Sequence, residues 1–296
     1  MEFASGSINV VLGRNHSGKT NFCRLLAGLE SAATAEITVD GSPLEGRDTA
    51  LVYQAFVNYP HWTVAQNIAS PIVARGKRDS HKVKELADLL QIGELLDRLP
   101  EELSGGQQQR LAIARALAKS PRLLVMDEPF VNLDYKLRES LLGELRQLTR
   151  ETGVCLVYAT SDPRDAISLA DQLLLVDRQE VIQAGEPLDL YQHPVSYQAA
   201  DLMSDPGVNR YSGTEFVRPE HIHVADSRDG WGLSTQGLIA GLETNGAESF
   251  VHARVSVPAG DIEWVARHPG MLDFRPGEPC WLCADQADLL TVPAEY

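Results

Sequence analysis

A short, mostly apolar run at residues 8–12 leads directly into residues 13–20, which read GRNHSGKT. Apolar residues then recur at helical spacing as far as Leu29. Glycines let the backbone N–H groups of such a loop turn inward on an anion, and its lysine adds a positive charge. A strand before the loop and a helix after it are the setting in which this pattern binds phosphate. The sequence therefore predicts a phosphate-binding loop; the alternative is a glycine-containing turn with a surface lysine.

An apolar strand at residues 123–126 ends in the acidic pair Asp127-Glu128. At the end of a buried strand, Asp127 can orient Mg²⁺ through its water shell, and the Thr20 hydroxyl can reach the same ion. Glu128 can polarise a water for in-line attack, while Lys19 neutralises the β- and γ-phosphates. The alternative is an ordinary helix start, but the preceding strand and the upstream loop favour the catalytic interpretation.

The segment Ser104-Gly105-Gly106-Gln107 precedes this acidic pair in the chain. Ser104 is predicted to cap a helix that runs to about Lys119 and is stopped by Pro121. The unpaired N–H groups and the positive dipole end of such a helix can face a phosphate group. An ordinary capped turn is the alternative, and the position of the segment before the acidic pair argues against coincidence.

Strands and helices alternate up to about residue 176, and the pattern changes after about residue 205. The alternation predicts an α/β fold, with a mainly parallel sheet and helices on both faces. Short β-rich pieces separated by turn residues predict a small all-β, barrel-like domain after it. We therefore expect domains at residues 1–204 and 205–296. The predicted strands are 8–12, 36–39 (with a turn at Asp40-Gly41), 51–53, 123–126, 154–158 and 173–176, and the predicted helices are 20–29, 80–90 (capped by Ser80), 106–119, 134–152 and one that begins at Asp162-Pro163.

The net charge is −15, and no run of lysine or arginine is present. Attraction to nucleic acid or to an anionic membrane surface is therefore not expected. No apolar stretch reaches the roughly 20 residues needed to cross a bilayer, and the first residues lack the basic and apolar regions of a signal peptide. These features predict a cytosolic protein that meets a membrane only through a partner.

The four cysteines are predicted to be structural. Cys23 and Cys155 fall in apolar helix and strand patterns, as small core residues do. Cys280 and Cys283 have the spacing of a redox motif, but they lie in a strand-like run, where their side chains would point to opposite faces. No redox role is therefore expected.

Taken together, these motifs resemble those of the ATPase subunits of bacterial ABC importers for carbohydrates or polyols. Tyr53-Gln54 resembles the family's Q-loop, residues 59–64 resemble its docking segment for the membrane subunit, and residues 132–134 resemble its D-loop. Residues 103–110 match the family signature without a break, and residues 216–221 resemble the opening of its appended β-domain. The resemblance implies ATP and Mg²⁺ as cofactors.

The resemblance also implies roles for individual residues. Catalytic positions are Glu128, Gln54 and Ser161, and the Mg²⁺ contacts are Thr20, Gln54 and Asp127. The signature and the D-loop would contact nucleotide held by a second subunit. The implied nucleotide-binding residues are Gly13, Arg14, Asn15, His16, Ser17, Gly18, Lys19, Thr20, Asn21, Ser104, Gly105, Gly106, Gln107 and Asp134.

The partners implied by the resemblance are a homologous ATPase subunit, identical or related, and two membrane permease subunits. A periplasmic or extracellular solute-binding protein would be an indirect partner, and no nucleic acid would be bound. The chain would lie at the cytoplasmic face of the membrane, held there by the permease subunits. Other subunits select the cargo. Polyol or glycerol uptake is expected because Ala159-Thr160 and Ser204-Asp205-Pro206 resemble segments of glycerol-importer ATPases.

Position 161 is where the chain departs most from the family. Relatives carry a histidine that holds the γ-phosphate there, whereas Ser161 is a short neutral hydroxyl. Losing one such group typically costs on the order of 10²–10³ in rate. His16 also replaces a glycine that is common in the phosphate loop of the family. Only twelve residues precede Gly13, so either the family's adenine-stacking aromatic is missing or the start codon is misplaced. Slow hydrolysis in this subunit's own site is therefore expected.

Three interpretations remain open at this point. In the first, the subunit binds ATP in a slow site while its signature completes a competent site on a related partner. In the second, it is a non-hydrolysing regulatory subunit whose β-domain binds a signalling protein or a sugar phosphate. The third, a soluble ABC protein of DNA repair or translation, is disfavoured by the acidic charge and by the docking-like segment.

Overall fold

The computed structural model describes residues 2–31, 36–39, 41–55, 57–131 and 133–293. The chain divides into two compact units, one up to Pro187 and one from Leu188 onward. The domain boundary expected at 204/205 stays a prediction. Asp40 of the predicted turn and Asn132 of the D-loop-like segment lie outside the described residues.

A six-stranded sheet forms the centre of the first unit. The strands of the sheet are β1 (Ile8–Leu12), β4 (Thr49–Val52), β5 (Leu123–Asp127), β6 (Cys155–Thr160), β7 (Gln172–Asp177) and β8 (Glu180–Gly185). Strands β2 (Thr38–Val39) and β3 (Ser42–Pro43) form a separate pair. The order is β4-β5-β6-β1-β7-β8, with β8 antiparallel to β7 and all other pairs parallel. All of β1 is buried, as expected for a strand covered on both faces. The carboxyl ends of β5, β6, β1 and β7 therefore meet at one edge, where open α/β sheets bind ligands.

The helices of the first unit are α1 (Lys19–Leu26), α2 (Val64–Ala74), α3 (Ser80–Leu89), α4 (Gly105–Ala118), α5 (Tyr135–Thr152) and α6 (Pro163–Leu169), with short 3₁₀ turns at Gly93–Leu95 and Pro100–Glu102. As predicted, α5 ends at Gly153, whose φ of 65° is the left-handed conformation that terminates helices. The prediction that Ser80 caps α3 was wrong. The Asp79 carboxylate accepts the Lys82 N–H at 2.8 Å, so Asp79 is the cap and Ser80 is the first helical residue. None of the helices in the described part of the chain has the length and hydropathy needed to span a membrane.

An apolar core lies between α1 and the sheet. Cys23 of α1 and Cys155 of β6 belong to it, together with the strand residues Val11, Val125 and Val157. Both thiols are buried and free, which confirms the prediction that they are core residues. Burial raises the pKa of Cys23 far above its usual range, so this thiol stays protonated and unreactive.

The second unit contains two antiparallel sheets, ordered β16-β10-β9 and β11-β15-β12-β13-β14. It is built mainly from strands, as predicted, while closure into a barrel stays a prediction. Its core surrounds Trp264, Val251 and Leu282, and Cys280 and Cys283 are both buried and free. Its elements are α7 (Pro187–Gln192, which begins at the boundary), α8 (Tyr197–Leu202), β9 (Asn209–Arg210), β10 (Glu215–Val217), β11 (His223–Ala225), β12 (Leu233–Thr244), β13 (Glu248–Val257), β14 (Gly260–Pro269), β15 (Pro279–Ala284), β16 (Leu289–Thr291) and 3₁₀ turns at Pro219–His221 and Gln286–Asp288.

Candidate functional site

A cavity of about 580 Å³ opens at the carboxyl edge of the sheet. The loops that follow β1, β5 and β6 contribute to it, because these strands are neighbours and run in the same direction. Ten of the residues that line it were singled out in the sequence: Asn15, His16, Gly18, Lys19, Thr20, Asn21, Gln54, Asp127, Glu128 and Ser161. The structure thus brings the implied Mg²⁺ ligands, the implied catalytic residues and most of the phosphate loop to one place.

Two lining residues were missed in the sequence, Val131 and Gln179. Val131 follows the acidic pair but belongs to no motif. Gln179 lies in the turn after β7, directly beside the loop after β1. Only the order of the strands identifies Gln179 as a site residue. Ligands bind to such sheets at the carboxyl ends of the strands, and β7 lies next to β1, which leads into the phosphate loop.

The backbone of the phosphate loop requires small residues at two positions. A Cβ on Gly13 would lie 2.4 Å from both the Ser17 Oγ and the Val176 carbonyl oxygen, and Gly18 has a φ of 109°. His16 has a φ of 65°, and the left-handed conformation costs a residue other than glycine roughly 1–2 kcal/mol. The glycine that is common in the family would fit here without that strain.

Lys19 is held inside the loop by the backbone. Its Nζ donates to the carbonyl oxygens of Gly13 at 2.7 Å and of Arg14 at 3.0 Å, and it lies 3.1 Å from Glu128 Oε1. The side chain is 5% exposed. A buried lysine fixed by carbonyl groups presents its charge at one point, which suits the stabilisation of a polyphosphate.

Thr20, in the first turn of α1, and Asp127, the last residue of β5, bring a hydroxyl and a carboxylate together. Burial raises the pKa of the Asp127 carboxyl, a hydrogen bond from the Thr20 side chain partly offsets this, and the negative charge of Glu128 raises the pKa further. Asp127 Oδ1 is buried and has no hydrogen-bond partner among the described residues. A carboxylate oxygen and a hydroxyl are the ligand types that Mg²⁺ prefers. This donor set therefore fits the metal that the fold family implies.

Ser161 stands exposed at the end of β6, next to a partly buried ionic network. Asp162 is the N-cap of α6, as predicted, and its Oδ2 lies 3.2 Å from the Arg138 guanidinium. Arg138 Nε also donates to Asp165 Oδ2 at 2.9 Å, and the Tyr158 hydroxyl donates to the same oxygen at 2.9 Å. These bonds fix the backbone on which Ser161 stands.

The predicted signature does not line this cavity, and neither does Asp134. Ser104 caps α4, as predicted: its N–H donates to Gln107 Oε1 at 2.9 Å and its hydroxyl faces the Gln107 N–H at 3.4 Å. A Cβ on Gly106 would lie 2.6 Å from Leu137 Cδ2, so this glycine permits close packing of α4 against α5. Ser104 is exposed, and the N-terminus of α4 is therefore accessible to a second molecule. The predicted residues outside the cavity lining are Gly13, Arg14, Ser17, Ser104, Gly105, Gly106, Gln107 and Asp134.

The segment at residues 59–64 presents two aromatic rings to solvent. Tyr59 and Trp62 are 47% and 44% exposed, and their ring centroids lie 4.6 Å apart. The Asn67 side chain accepts from the Tyr59 N–H and donates to the Trp62 carbonyl, and Arg115 lies over the Tyr59 ring at 5.0 Å. Exposed aromatics on a fixed backbone are typical of interaction surfaces.

Comparisons with known proteins agree with this geometry. Residues 1–131 match the ABC transporter family, and residues 216–292 match the TOBE domain family. The sn-glycerol-3-phosphate import ATP-binding protein UgpC of Rhodopseudomonas palustris is 34% identical across 92% of this chain and 82% of its own length. The protein of the same name from Cereibacter sphaeroides is 32% identical across 99% and 92%.

A solved structure described as part of the ABC transporter complex cbiONQ of Clostridium perfringens has a similar fold. Its TM-score is 0.60 at 23% identity, over 64% of this chain and 81% of that one. The sequence relatives show the function as well as the fold, because their similarity extends over both the ATPase domain and the β-domain. The chain belongs to the ABC transporter family, among the ATP-binding and ATP-hydrolysing importer subunits that carry a C-terminal TOBE domain.

Proposed function

We propose that this subunit binds MgATP between itself and a related ATPase subunit, hydrolyses it slowly in its own site, and drives uptake through two membrane permeases. The observation that carries the proposal is the single cavity that joins Lys19, Thr20, Asp127, Glu128 and Ser161. Lysine, threonine, aspartate and glutamate each have a defined task in phosphoryl transfer, and the convergence of these residues at the carboxyl edge of the sheet favours that chemistry.

The residues of the cavity divide the work as follows. Lys19 would bind the β- and γ-phosphates, and Thr20 and Asp127 would hold Mg²⁺, with Gln54 lining the same cavity. Bound Mg²⁺ would neutralise charge that develops on the phosphate oxygens. Glu128 accepts a proton from the attacking water, a task in which general bases typically contribute about 10²–10⁴ in rate.

Ser161 makes this subunit's own site slow. A serine hydroxyl is too short to reach a γ-phosphate from the end of β6 as a histidine would, and it carries no positive charge. The backbone at this position is nevertheless held by Asp162 and Arg138, which supports a lost contact rather than a disordered loop.

The N-terminus of α4 would complete the nucleotide site of the partner ATPase subunit. Replacing Ser104 by alanine should weaken MgATP-dependent pairing about tenfold, because a hydrogen bond to a charged phosphate is lost. Nucleotide affinity of the isolated chain should not change. Sedimentation of this chain mixed with its partner measures the pairing.

The matched control for this variant is Asp79→Ala. It removes the cap of α3 and therefore costs a similar ~1 kcal/mol of stability, but it touches no proposed interface. Pairing should be normal in this control. A Ser104→Ala chain that pairs as tightly as the wild type would contradict the assigned role of α4.

The names of the relatives suggest the cargo. Their name describes import of sn-glycerol 3-phosphate, and we propose this compound, or a related polyol such as glycerol, for the present transporter. Tyr59 and Trp62 would contact the permease at the cytoplasmic face of the membrane. A solute-binding protein would deliver the cargo on the other side.

Vesicles that contain the assembled transporter test the proposal. Uptake of radiolabelled sn-glycerol 3-phosphate or glycerol should require ATP inside the reconstituted system. The hydrolysis that remains once the partner's own site has been inactivated should fall about 10²-fold or more on Glu128→Gln. Hydrolysis and uptake that do not depend on Glu128 would instead favour the non-hydrolysing regulatory subunit.

A further inference from the structure

The turn that joins β7 to β8 has an unusual composition for its conformation. Asp177 pairs with Glu180, which leaves Arg178 and Gln179 as a two-residue loop. Their φ values are 46° and 69°. Tight hairpin turns with both central residues in the left-handed region strongly favour Asn-Gly or Asp-Gly. The chain thus carries a glutamine where the backbone favours glycine, and strained positions of this kind cluster at functional sites.

Gln179 is fixed directly against the phosphate loop. Its N–H donates to the Ser17 carbonyl oxygen at 2.7 Å. A Cβ placed on Gly18 would lie 3.1 Å from the Gln179 Cα and 3.2 Å from its Cγ, so the glutamine side chain lies across Gly18. The residue is exposed and lines the same cavity as Lys19 and Glu128.

We infer that Gln179 is an additional ligand of the nucleotide's phosphate groups, donating its side-chain N–H₂ to a phosphate oxygen. The inference rests on the proposed function of the cavity. Gly18 and Lys19 begin α1, whose N-terminal end faces the anion, and a side chain that lies across Gly18 reaches the same region. The carboxamide keeps its donors at every physiological pH.

This ligand adds a contact that the phosphate-loop motif itself does not supply. His16 strains the loop and Ser161 is short, so two of the positions from which the nucleotide's phosphates would be contacted are weakened, while Lys19 is intact. Gln179 comes from a different part of the chain, the hairpin between β7 and β8, and its own N–H anchors that hairpin to the Ser17 carbonyl oxygen of the loop. Gln179 is exposed and lines the cavity, so its side chain is accessible to a ligand bound there.

Equilibrium binding of MgATP to the purified chain and its variants tests the inference. Gln179→Gly should weaken binding about tenfold, the usual effect of losing a hydrogen bond to a charged group. Gln179→Glu, which has nearly the same shape, should weaken it more, because a carboxylate repels phosphate. The melting temperature without nucleotide should be unchanged or higher in Gln179→Gly, since glycine relieves the strained φ.

Gln91→Gly is the matched control. Gln91 also has a positive φ, of 55°, but it does not line the cavity, so its replacement should leave MgATP affinity unchanged. The order Gln, Gly, Glu of decreasing affinity supports phosphate binding. If Gln179→Glu binds as well as the wild type, or Gln179→Gly loses no affinity, the inference is overturned while the proposed function stands. Wild-type protein without measurable MgATP affinity would overturn both.

Discussion

Replacing Ser161 by histidine should raise ATP hydrolysis in this subunit's own site by about 10²–10³-fold. Ser161 is exposed and lines the cavity, so a larger side chain can be accommodated. The backbone that carries it is held by the bonds of Asp162 and Arg138, and an imidazole there could contact the γ-phosphate and the attacking water. Phosphate release from the assembled transporter, with the partner's own site inactivated, measures the gain.

Two further variants identify where the gain arises. Ser161→Ala should change the rate by less than about tenfold, because a hydroxyl that does not reach the phosphate contributes little. Adding Glu128→Gln to Ser161→His should abolish the gain, since the water then lacks its base. An unchanged rate in Ser161→His would show that position 161 does not limit hydrolysis.

Replacing Lys19 by alanine should lower MgATP affinity by roughly 10- to 150-fold, the range expected for losing a charge-assisted hydrogen bond of about 1.5–3 kcal/mol. The upper end is expected here. Lys19 lies 3.1 Å from Glu128, and without it the Glu128 carboxylate would repel the phosphates. Calorimetric titration of the purified chain with MgATP measures the effect.

Lys119→Ala provides the control for the lost backbone contacts. Lys119 Nζ donates to the carbonyl oxygens of Gly46 and Thr49, both at 2.6 Å, much as Lys19 contacts two carbonyls of the phosphate loop. Its loss should reduce stability and leave MgATP affinity intact. Equal loss of affinity in both variants would mean that Lys19 acts through the fold of the loop and not through the nucleotide.

The elements with strong local signals were predictable from the sequence. The apolar run of β1, the loop that follows it and the periodicity of α1 are contiguous, so strand, loop and helix could be read together. The serine of the Ser-Gly-Gly segment predicted the cap of α4 at Ser104, and the apolar strand β5 placed Asp127 and Glu128 at its end. Each of these inferences needed only neighbouring residues.

Other elements were missed because their signals are weak or not local. Strand β8 is largely exposed and lacks an apolar run, and α2 contains Pro71, which usually argues against a helix interior. Asp79 and Ser80 are both good caps, so the sequence could not choose between them. Gln179 belongs to the site only because β7 pairs with β1, a long-range arrangement that no local pattern encodes.

Helix α5 joins two regions that chemistry alone would treat as separate. Asp134 caps its first turn by accepting the Leu137 N–H. The next residue, Arg138, forms ion pairs with Asp162 and Asp165 beside Ser161. Helix α5 thus begins at the D-loop-like segment and is joined, through Arg138, to the residues that follow Ser161. If a second ATPase subunit displaced the start of α5 when it binds, the contacts of Arg138 would pass that displacement to the backbone at residue 161. The coupling would not run through the nucleotide.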